Sequence, residues 1–416
     1  MNKFKKSRLA VALFFIISFS ILAQNRNYTI LVSFDAFRWD YGNRGISPNL
    51  DYIEQNGVHA LSLCPCFPSK TFPNHYSIVT GMYPENHGII ANSFSNPYTN
   101  QKYNISDSIA KRDAKWYKGE AIWETAKRQG VITASYFWPG SEVNVDYRRP
   151  DYVERFVYTR PYDERINGAL NWLELPYNKR PHFIMLYFDA TDTSGHNYGP
   201  NSNEVNQSIA KEDSLIGKIF SGLKKLNLLD STNVIIVSDH GMTELSPDRV
   251  IKIDELLSGF HYKTSDKGTM MFIYPEESEK IDVYTRLKKS EKNYKVYWKN
   301  ELPEYLHYKD NPFVAGIIVI ADLGYSIFDN KDLKKYSKKF PGGNHGYDPA
   351  NLDMHGIFYA IGPDFKSGFS CGTIDNIDIY PLLAKILHIY PNNNIDGKFE
   401  RIEFLLKNNQ DKFELP

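Results

Sequence analysis

The sequence predicts an α/β fold in which a mostly parallel sheet lies between two layers of helices. Three apolar runs, Tyr28–Phe34, Phe183–Phe188 and Val234–Val237, are rich in the β-branched and aromatic residues that favour strands. Their apolarity is continuous rather than alternating, which is typical of strands covered on both faces. Helix-like stretches lie between the runs and no fixed-period repeat is visible, so the pattern favours parallel strands joined by crossover helices.

Each of these runs ends in an acid. The first is followed by Asp35, the second by Asp189, and the third by Ser238, Asp239 and His240. In parallel sheets, ligands bind beyond the carboxyl ends of the strands. We therefore expect these acids to converge on one site.

Residues from about 245 to 340 break this pattern, because short apolar bursts alternate there with segments rich in Lys, Glu and Tyr. We interpret the region as a small insertion on the main domain. Lysines between Lys331 and Lys339 recur at helical spacing, which favours a solvated helix face, with attraction of an anionic substrate as the alternative. Beyond the insertion, residues 356–363 predict a further core strand and residues 378–387 a closing helix.

Residues 1–23 differ in composition from the rest of the chain. Four basic residues precede an apolar run that extends from Leu9 to Ala23. This is the pattern of a secretory signal peptide, and the run is short for a membrane span. We expect cleavage after Ala23 and a mature protein, residues 24–416, that is periplasmic or secreted and has no membrane anchor. A retained N-terminal anchor is the alternative.

Composition excludes other classes of protein. The chain has 416 residues, 42% of them hydrophobic, so it can bury a large core. The 49 Lys and Arg residues balance the 49 Asp and Glu residues, so no excess positive charge attracts a polymeric nucleic acid. Three cysteines cannot build a disulfide framework. Small buried thiols are favoured, and at most Cys371 pairs with Cys64 or Cys66.

Histidine and carboxylate residues occur together in motifs that suit a metal ion. The candidate ligands are Asp35, Asp192, His196, Asp239, His240 and His345. Imidazole and carboxylate groups together suit Zn²⁺ or a similar divalent ion. A single Asp-x-x-x-His pair is commonly an ordinary structural feature. The six residues together include the acids at two strand ends, and they would supply the two metal sites of a phosphoryl-transfer enzyme.

Thr71 is the candidate nucleophile. It lies just before a helix-like stretch, where the positive end of a helix attracts phosphate. The alternative is that Thr71 is an ordinary N-cap, with Pro73 in the first turn. Taken alone, the position favours the N-cap.

These motifs together resemble the nucleotide pyrophosphatase/phosphodiesterase family of the alkaline phosphatase superfamily. The resemblance extends from residue 28 to about 395 and rests on six stretches: Thr71–Tyr76, Thr80–Ile90, Phe137–Ser141, Asp192–Pro200, Ser238–Met242 and His345–Asp348. It implies a three-layer alkaline-phosphatase-like sandwich, in which residues 24–416 form one phosphodiesterase catalytic domain with an insertion at about 245–340.

The resemblance also implies two Zn²⁺ ions and assigns their ligands. The ligands are Asp35, Thr71, Asp239 and His240 for one ion, and Asp192, His196 and His345 for the other. His355 is the nearest alternative to His345, but family members often carry other residues at its position.

The same resemblance assigns the substrate contacts. Thr71 is the nucleophile, and Asn92 donates a hydrogen bond to a phosphate oxygen. Phe72 and Phe156 match positions that hold the base, although both could be core residues instead. Asp189 departs from the family, because several relatives have Glu there, and this leaves the nucleoside preference open.

The expected activity is that of a zinc-dependent nucleotide pyrophosphatase/phosphodiesterase. A metal-activated Thr71 alkoxide attacks phosphorus in line, and water then resolves the phosphothreonine ester. ATP, NAD, dinucleotides or similar diesters are the expected substrates, cut at the α-phosphate to release nucleoside 5′-monophosphates.

Other functions stay open at this point. A choline-phosphodiester or lysophospholipid phosphodiesterase, or a phosphomonoesterase of the same superfamily, is the enzymatic alternative. A sulfatase is disfavoured, because Lys70 breaks the signature that Cys66 begins. The non-enzymatic alternative is an inactive exported protein that binds metal and nucleotide.

Overall fold

The computed structural model describes residues 27–407. The predicted signal peptide, residues 1–23, lies outside the described residues. The strands are, in chain order, β1 Tyr28–Phe34, β2 Val58–Cys64, β3 Ser93–Ser95, β4 Lys102–Asn104, β5 Thr133–Tyr136, β6 Tyr152–Glu154, β7 Phe183–Phe188, β8 Thr232–Val237, β9 Thr243–Glu244, β10 Val250–Lys252, β11 Tyr262–Ser265, β12 Met270–Pro275, β13 Tyr294–Trp298, β14 Ile317–Ala321, β15 Ser326–Phe328, β16 Gly343–Asn344, β17 Gly356–Ile361, β18 Phe369–Cys371 and β19 Ile374–Asp375.

The α-helices alternate with these strands, and short 3₁₀ turns join many of the elements. The α-helices are α1 Pro48–Asn56, α2 Thr71–Thr80, α3 Pro84–His87, α4 Ile122–Arg128, α5 Tyr162–Leu173, α6 Ala190–Tyr198, α7 Asn203–Lys225, α8 Ile253–Leu256, α9 Lys280–Lys289, α10 Asn330–Tyr336 and α11 Ile379–Ile386. In the described part of the chain, none of them has the length and apolarity that crossing a membrane requires.

The main sheet has the strand order β18-β2-β17-β8-β1-β7-β5-β6, with β19 also paired to β2. The pairs among β8, β1, β7, β5 and β6 are parallel, and so are the pairs of β18 and β19 with β2. Only β17 is antiparallel to its neighbours, β2 and β8. The sequence-based prediction of a mostly parallel central sheet is confirmed.

Helices cover both faces of the sheet, which explains the continuous apolar runs. Leu31 of β1 lies in a core shared with α2, α4 and α11, whereas its neighbours Ile30 and Val32 lie in a second core shared with α1, α5 and α7. All seven residues of β1 are buried. Successive side chains of a strand point to opposite faces, so a strand between two helix layers must be apolar throughout.

The region between β9 and β16 forms sheets of its own. An antiparallel sheet has the order β11-β12-β14-β13, and β10 pairs in parallel with β15. Its apolar side chains, among them Met271, Leu287 and Val319, form a third core. The lysines at 331, 334, 335, 338 and 339 are all exposed, as expected of a solvated face, but α10 ends at Tyr336 and includes only the first three.

The three cysteines are free thiols, so the pairing of Cys371 with Cys64 or Cys66 does not occur in this structure. In the parallel register of β18 and β2, Cys371 lies opposite Ala60, whereas Cys64 lies at the far end of β2, opposite Asp375 of β19. Cys66 is buried. The interpretation of small buried thiols applies best to Cys66, because Cys64 and Cys371 are half-buried.

Candidate active site

The carboxyl ends of two neighbouring strands bring the first acids together. Asp35 directly follows β1, and Asp239 and His240 follow β8 after Ser238. Because Ser33 of β1 lies opposite Val237 of β8, both turns leave the same edge of the sheet. The N–H of Ala36 donates to Asp239 Oδ1 over 3.2 Å, which joins the two turns directly.

Helix α6 adds a second pair of candidate ligands. It begins at Ala190, just after β7, and presents Asp192 and His196 one turn apart, with 3.2 Å between His196 Nε2 and Asp192 Oδ1. His345 approaches from the turn after β16, and its Nε2 lies 3.2 Å from His196 Nε2. The same nitrogen is 3.6 Å from Asp192 Oδ1.

Thr71 is the first residue of α2 rather than its N-cap. Lys70 occupies the N-cap position, and no side chain caps this helix. The N-cap interpretation of Thr71 is therefore wrong. The Thr71 hydroxyl instead faces the acids, with Oγ1 3.2 Å from His240 Nε2.

Three carboxylate oxygens at this edge are buried without a hydrogen-bond partner. They are Asp35 Oδ1, Asp192 Oδ1 and Asp239 Oδ2. Buried polar atoms are normally satisfied, so three unsatisfied acceptors in one place need a positive partner. At this edge of the sheet, two groups have their ligand atoms within 4.8 Å of one another: Asp192 with His196 and His345, and Asp35 with Asp192 and His240. The donor set thus fits divalent metal ions.

The pKa values of these acids also indicate that a positive charge is needed among them. Burial, and then the charges of Asp239 and Asp192, raise the pKa of Asp35 well above its usual value. The Tyr187 hydroxyl donates to Asp35 Oδ2 over 2.5 Å and partly offsets this rise. For Asp192, burial also raises the pKa, but the neighbouring His196 outweighs it and the pKa falls to about 2. Carboxylates held this close repel one another unless a cation lies between them.

The three imidazoles are held in one orientation by the main chain. His196 Nδ1 lies 3.0 Å from Gly343 O, His240 Nδ1 lies 2.9 Å from Gly241 O, and His345 Nδ1 lies 2.9 Å from Ser69 O. A carbonyl oxygen only accepts, so each Nδ1 carries a proton, and in the neutral ring each Nε2 then keeps the lone pair that binds a metal. The His240 and His345 rings stack with centroids 3.6 Å apart, which joins the two groups.

His355 is oriented differently. Its Nδ1 pairs with Ser62 Oγ over 2.9 Å, and its Nε2 donates to Pro349 O over 2.8 Å. Neither ring nitrogen is free to bind a metal.

His75 is a site residue that the sequence analysis missed. Its Nδ1 lies 2.9 Å from Thr71 O and 3.2 Å from Asp239 Oδ2, while its Nε2 pairs with Ser33 Oγ over 2.8 Å. His75 is four residues beyond Thr71, so it lies one turn further along the same face of α2. That spacing was the available signal.

Asn92 lies beside the nucleophile candidate. Its Oδ1 accepts a hydrogen bond from the N–H of Phe72 over 3.2 Å, which fixes the carboxamide next to Thr71. Among the described residues, no acceptor is hydrogen-bonded to Asn92 Nδ2 at this position.

A cavity of about 250 Å³ opens beside Thr71. Phe72 and Phe156 both line it and both also pack against a core, so neither belongs wholly to the interior. The cavity is also lined by charged residues that the sequence analysis missed: Lys111, Arg112 and Glu142. Lys111 Nζ lies 5.4 Å from the centre of the Phe156 ring, and Glu142 Oε1 accepts the N–H of Phe156 over 2.7 Å. No short motif distinguishes these three residues from other surface charges.

Comparison with known proteins adds independent information. The model of a family described as type I phosphodiesterase / nucleotide pyrophosphatase matches residues 29–348. Ectonucleotide pyrophosphatase/phosphodiesterase family member 5 of Homo sapiens is 37% identical over 389 residues, which cover 92% of this chain and 79% of that protein. Bis(5′-adenosyl)-triphosphatase enpp4 of Xenopus laevis is 37% identical over 382 residues, 91% of this chain and 81% of the relative.

Solved structures show the same similarity. Human ectonucleotide pyrophosphatase/phosphodiesterase 5 superposes with a TM-score of 0.86 at 36% identity, covering 91% of this chain and 99% of that one. The murine counterpart, an inactive threonine-to-alanine form in complex with AMP, gives a TM-score of 0.87 at 34% identity. It covers 92% of this chain and 100% of its own.

Proposed function

The chain belongs to the type I phosphodiesterase/nucleotide pyrophosphatase family of hydrolases, and from this premise we propose that it is an exported, zinc-dependent enzyme that releases nucleoside 5′-monophosphates. The family and the alkaline-phosphatase-like fold are established by the match of sequence and structure. The observation that carries the proposal is the position of Thr71 Oγ1, 3.2 Å from His240 Nε2 among buried carboxylates that lack partners.

The proposed metal sites divide the candidate ligands at the sheet edge between two ions. Asp35, Thr71, Asp239 and His240 would hold one Zn²⁺, and Asp192, His196 and His345 the other. The unsatisfied carboxylate oxygens and the free Nε2 lone pairs support this assignment. Bound zinc would supply the charge that lowers the pKa of the Thr71 hydroxyl and neutralises the leaving oxygen.

Thr71 attacks the phosphorus in this proposal. A bond forms from Oγ1 to phosphorus as the bond to the leaving oxygen breaks, and water then cleaves the resulting phosphothreonine ester. Thr71 also opens α2, so its own N–H lies in the first turn, where no intrahelical acceptor exists. That N–H and Asn92 Nδ2 would bind the phosphate oxygens, because the carboxamide is already fixed by Phe72.

The cavity indicates how the rest of the substrate is held. Phe72 and Phe156 would stack on the base, a contact worth about 1–3 kcal/mol per base. Lys111 and Arg112 add positive charge to the same cavity, which suits a nucleotide phosphate. The murine relative bound to AMP and the Xenopus relative named as a bis(5′-adenosyl)-triphosphatase support a nucleotide substrate.

The domain organisation and the localisation are part of the proposal. Residues 24–416 would form the catalytic domain, with residues 245–340 as an inserted subdomain; the separate sheets and third core between β9 and β16 support this division. Export is supported by the basic and apolar composition of residues 1–23.

A substrate panel tests the proposal. ATP, NAD, dinucleotides and nitrophenyl-TMP should be hydrolysed much faster than nitrophenyl phosphate or glycerophosphocholine. Preference for nitrophenyl phosphate would instead indicate a phosphomonoesterase, and preference for glycerophosphocholine a choline-phosphodiester enzyme. Zinc bound without any hydrolysis would indicate an inactive binding protein.

A further inference from the structure

Glu212 of α7 reaches the N-terminus of α6 from inside the protein. Its side chain is completely buried. Oε1 accepts the N–H of Ala190 over 2.9 Å and that of Thr191 over 3.4 Å, and Oε2 lies 2.8 Å from Thr191 Oγ1. The N-cap residue of α6, Asp189, makes no side-chain cap, because its carboxylate instead accepts from the Tyr162 hydroxyl. Glu212 therefore caps α6 from another helix.

The hydroxyl of Thr191 faces two oxygen atoms but has only one proton to donate. Thr191 Oγ1 lies 2.6 Å from the carbonyl oxygen of Asp35 as well as 2.8 Å from Glu212 Oε2. A hydroxyl has one proton to donate, and a carbonyl oxygen can only accept. The Thr191 proton therefore belongs to the shorter contact, with Asp35 O. The contact with Glu212 is a hydrogen bond only if Oε2 carries a proton and donates it to Thr191.

The surroundings of Glu212 favour the protonated acid. Among the described residues, no Lys, Arg or His forms an ion pair with it. The charge that acts on Glu212 is that of Asp189, which faces Tyr162 and lies 3.5 Å from Arg165 Nη1. Burial is the main cause that raises the pKa of Glu212 to about 8, and Asp189 adds to the rise.

We propose that Glu212 is a positioning residue of the metal site and that it acts as a neutral carboxylic acid. Oε1 holds the first N–H groups of α6, the helix that carries Asp192 and His196. Oε2–H donates to Thr191, which in turn donates to the main chain of Asp35. The proton on Glu212 thus completes a chain of hydrogen bonds between α6, which carries ligands of one proposed metal ion, and Asp35, a ligand of the other. The effect on catalysis rests on the function proposed above, whereas the protonation state does not.

The two amide substitutions on α7 provide a matched pair of variants. In Glu212→Gln, the amide oxygen can accept from Ala190 and the NH₂ group can donate to Thr191, so every hydrogen bond is kept. Asp213, the next residue, faces only donors: the N–H groups of Asn49 and Leu50 and the Asn49 side-chain amide. In Asp213→Asn, an NH₂ group must therefore face other donors.

Infrared spectroscopy tests the protonation state without any assay of activity. The metal-free wild-type protein at neutral pH should show a C=O stretching band of Glu212 as a protonated carboxylic acid, and this band should appear in the difference spectrum between the wild type and Glu212→Gln. The difference spectrum is needed because the raised pKa of Asp35 lets that acid contribute a similar band to both proteins. Asp213→Asn should keep the band while lowering the midpoint of thermal unfolding by a few degrees. If the difference spectrum between the wild type and Glu212→Gln lacks the band, the proposal is overturned, whichever substrate the enzyme cleaves.

Zinc retention and turnover test the positioning role. Glu212→Leu removes both hydrogen bonds and should lose about 10- to 100-fold in zinc affinity or turnover, the usual effect of removing a residue that orients metal ligands. Glu212→Gln should recover most of this loss. If Glu212→Gln is as impaired as Glu212→Leu, the charge is needed and the proposal fails; it fails equally if Glu212→Leu binds zinc as tightly as the wild type.

Thr191 offers a second route, in case Glu212→Leu does not fold. Thr191→Val keeps the shape but removes the hydroxyl, and it should weaken zinc binding in the same way as Glu212→Leu. Thr191→Ser keeps the hydroxyl and should bind zinc about as tightly as the wild type. Equal zinc affinity in both Thr191 variants would overturn the link to Asp35.

Discussion

Lys70 and Asp266 form a buried ion pair between the residue before Thr71 and the segment that joins β11 to β12. Lys70 Nζ lies 2.6 Å from Asp266 Oδ1, and the side chains are 7% and 6% exposed. Gly346 makes room for it, since its φ is +108° and a Cβ there would lie 2.6 Å from Lys70 Cε. The inserted sheets are thereby fastened to the start of α2 and to the turn that bears His345.

We expect removal of Lys70 to destabilise the protein strongly. In Lys70→Met the Asp266 carboxylate stays buried without its partner, which costs about 3–5 kcal/mol of unfolding free energy. Denaturant unfolding measures this change. The control is Lys252→Ala, because the Lys252–Glu255 pair is exposed and its loss should cost less than about 1 kcal/mol. Equal effects of the two substitutions would show that burial of the Lys70 pair is unimportant.

We expect the purified protein to contain about two zinc ions per chain, and chelation to abolish activity reversibly. His345→Ala should lose metal and activity, because its Nε2 faces His196 and Asp192. His355→Ala should retain metal, because both of its ring nitrogens are bonded elsewhere. Metal analysis by mass spectrometry decides between them, and the opposite ranking would refute the choice of His345.

Thr71→Ala should lower turnover by at least ~10³-fold while the protein still folds and binds metal. Thr71→Ser should keep measurable activity, because a primary hydroxyl can perform the same attack. Steady-state kinetics with a nitrophenyl nucleotide diester, together with the zinc content, measures both. Near-normal turnover by the alanine variant would exclude Thr71 as the nucleophile.

Cleavage should fall at the α-phosphate, because a base held by Phe72 and Phe156 places the phosphorus next to the ribose at Thr71. ATP should yield AMP and pyrophosphate, and NAD should yield AMP and nicotinamide mononucleotide. In ¹⁸O-labelled water the label should enter AMP, since water resolves the nucleotidyl-threonine ester. Label in pyrophosphate, or ADP as a first product, would indicate another binding register.

The thiols should react slowly in the folded protein. Burial raises the pKa of Cys64 to about 12 and that of Cys66 well above its usual value, so little thiolate is present. A thiol reagent at mildly alkaline pH should modify these two cysteines only after unfolding, when three thiols per chain become titratable. A count of one thiol after unfolding would reveal a disulfide.

The sequence predicted the sheet well because a strand buried on both faces is apolar at nearly every position, and a short stretch of sequence shows this. The runs at Tyr28–Phe34 and Phe183–Phe188 coincide with β1 and β7, and Val234–Val237 lies within β8. The direction of a strand relative to its neighbours is not visible in its own residues. The run at 356–363 predicted a strand, and β17 covers residues 356–361 of it, but the run carried no sign that this strand lies antiparallel between β2 and β8.

Site residues were predictable where they follow strands or repeat a family motif, and not where tertiary contacts decide. The parallel sheet alone predicted the convergence of Asp35, Asp239 and His240. The same argument included Asp189, but its carboxylate accepts from the Tyr162 hydroxyl instead and is not among the clustered ligand atoms. Lys111 and Glu212 are ordinary charged residues in the sequence, and only the folded chain brings one beside Phe156 and buries the other under α6. The sequence alone also favoured Thr71 as the N-cap, whereas in the folded chain Lys70 takes that position and Thr71 begins α2.

The antiparallel strand β17 also sets the order in which the chain can fold. It joins β2, near the beginning of the chain, to β8, and these two strands do not pair with each other. During synthesis β2 must therefore wait for residues 356–361 to emerge before its edge is covered. A product that stops short of β17 would leave β2 unpaired and prone to aggregate. Contacts between such distant segments also favour slow folding.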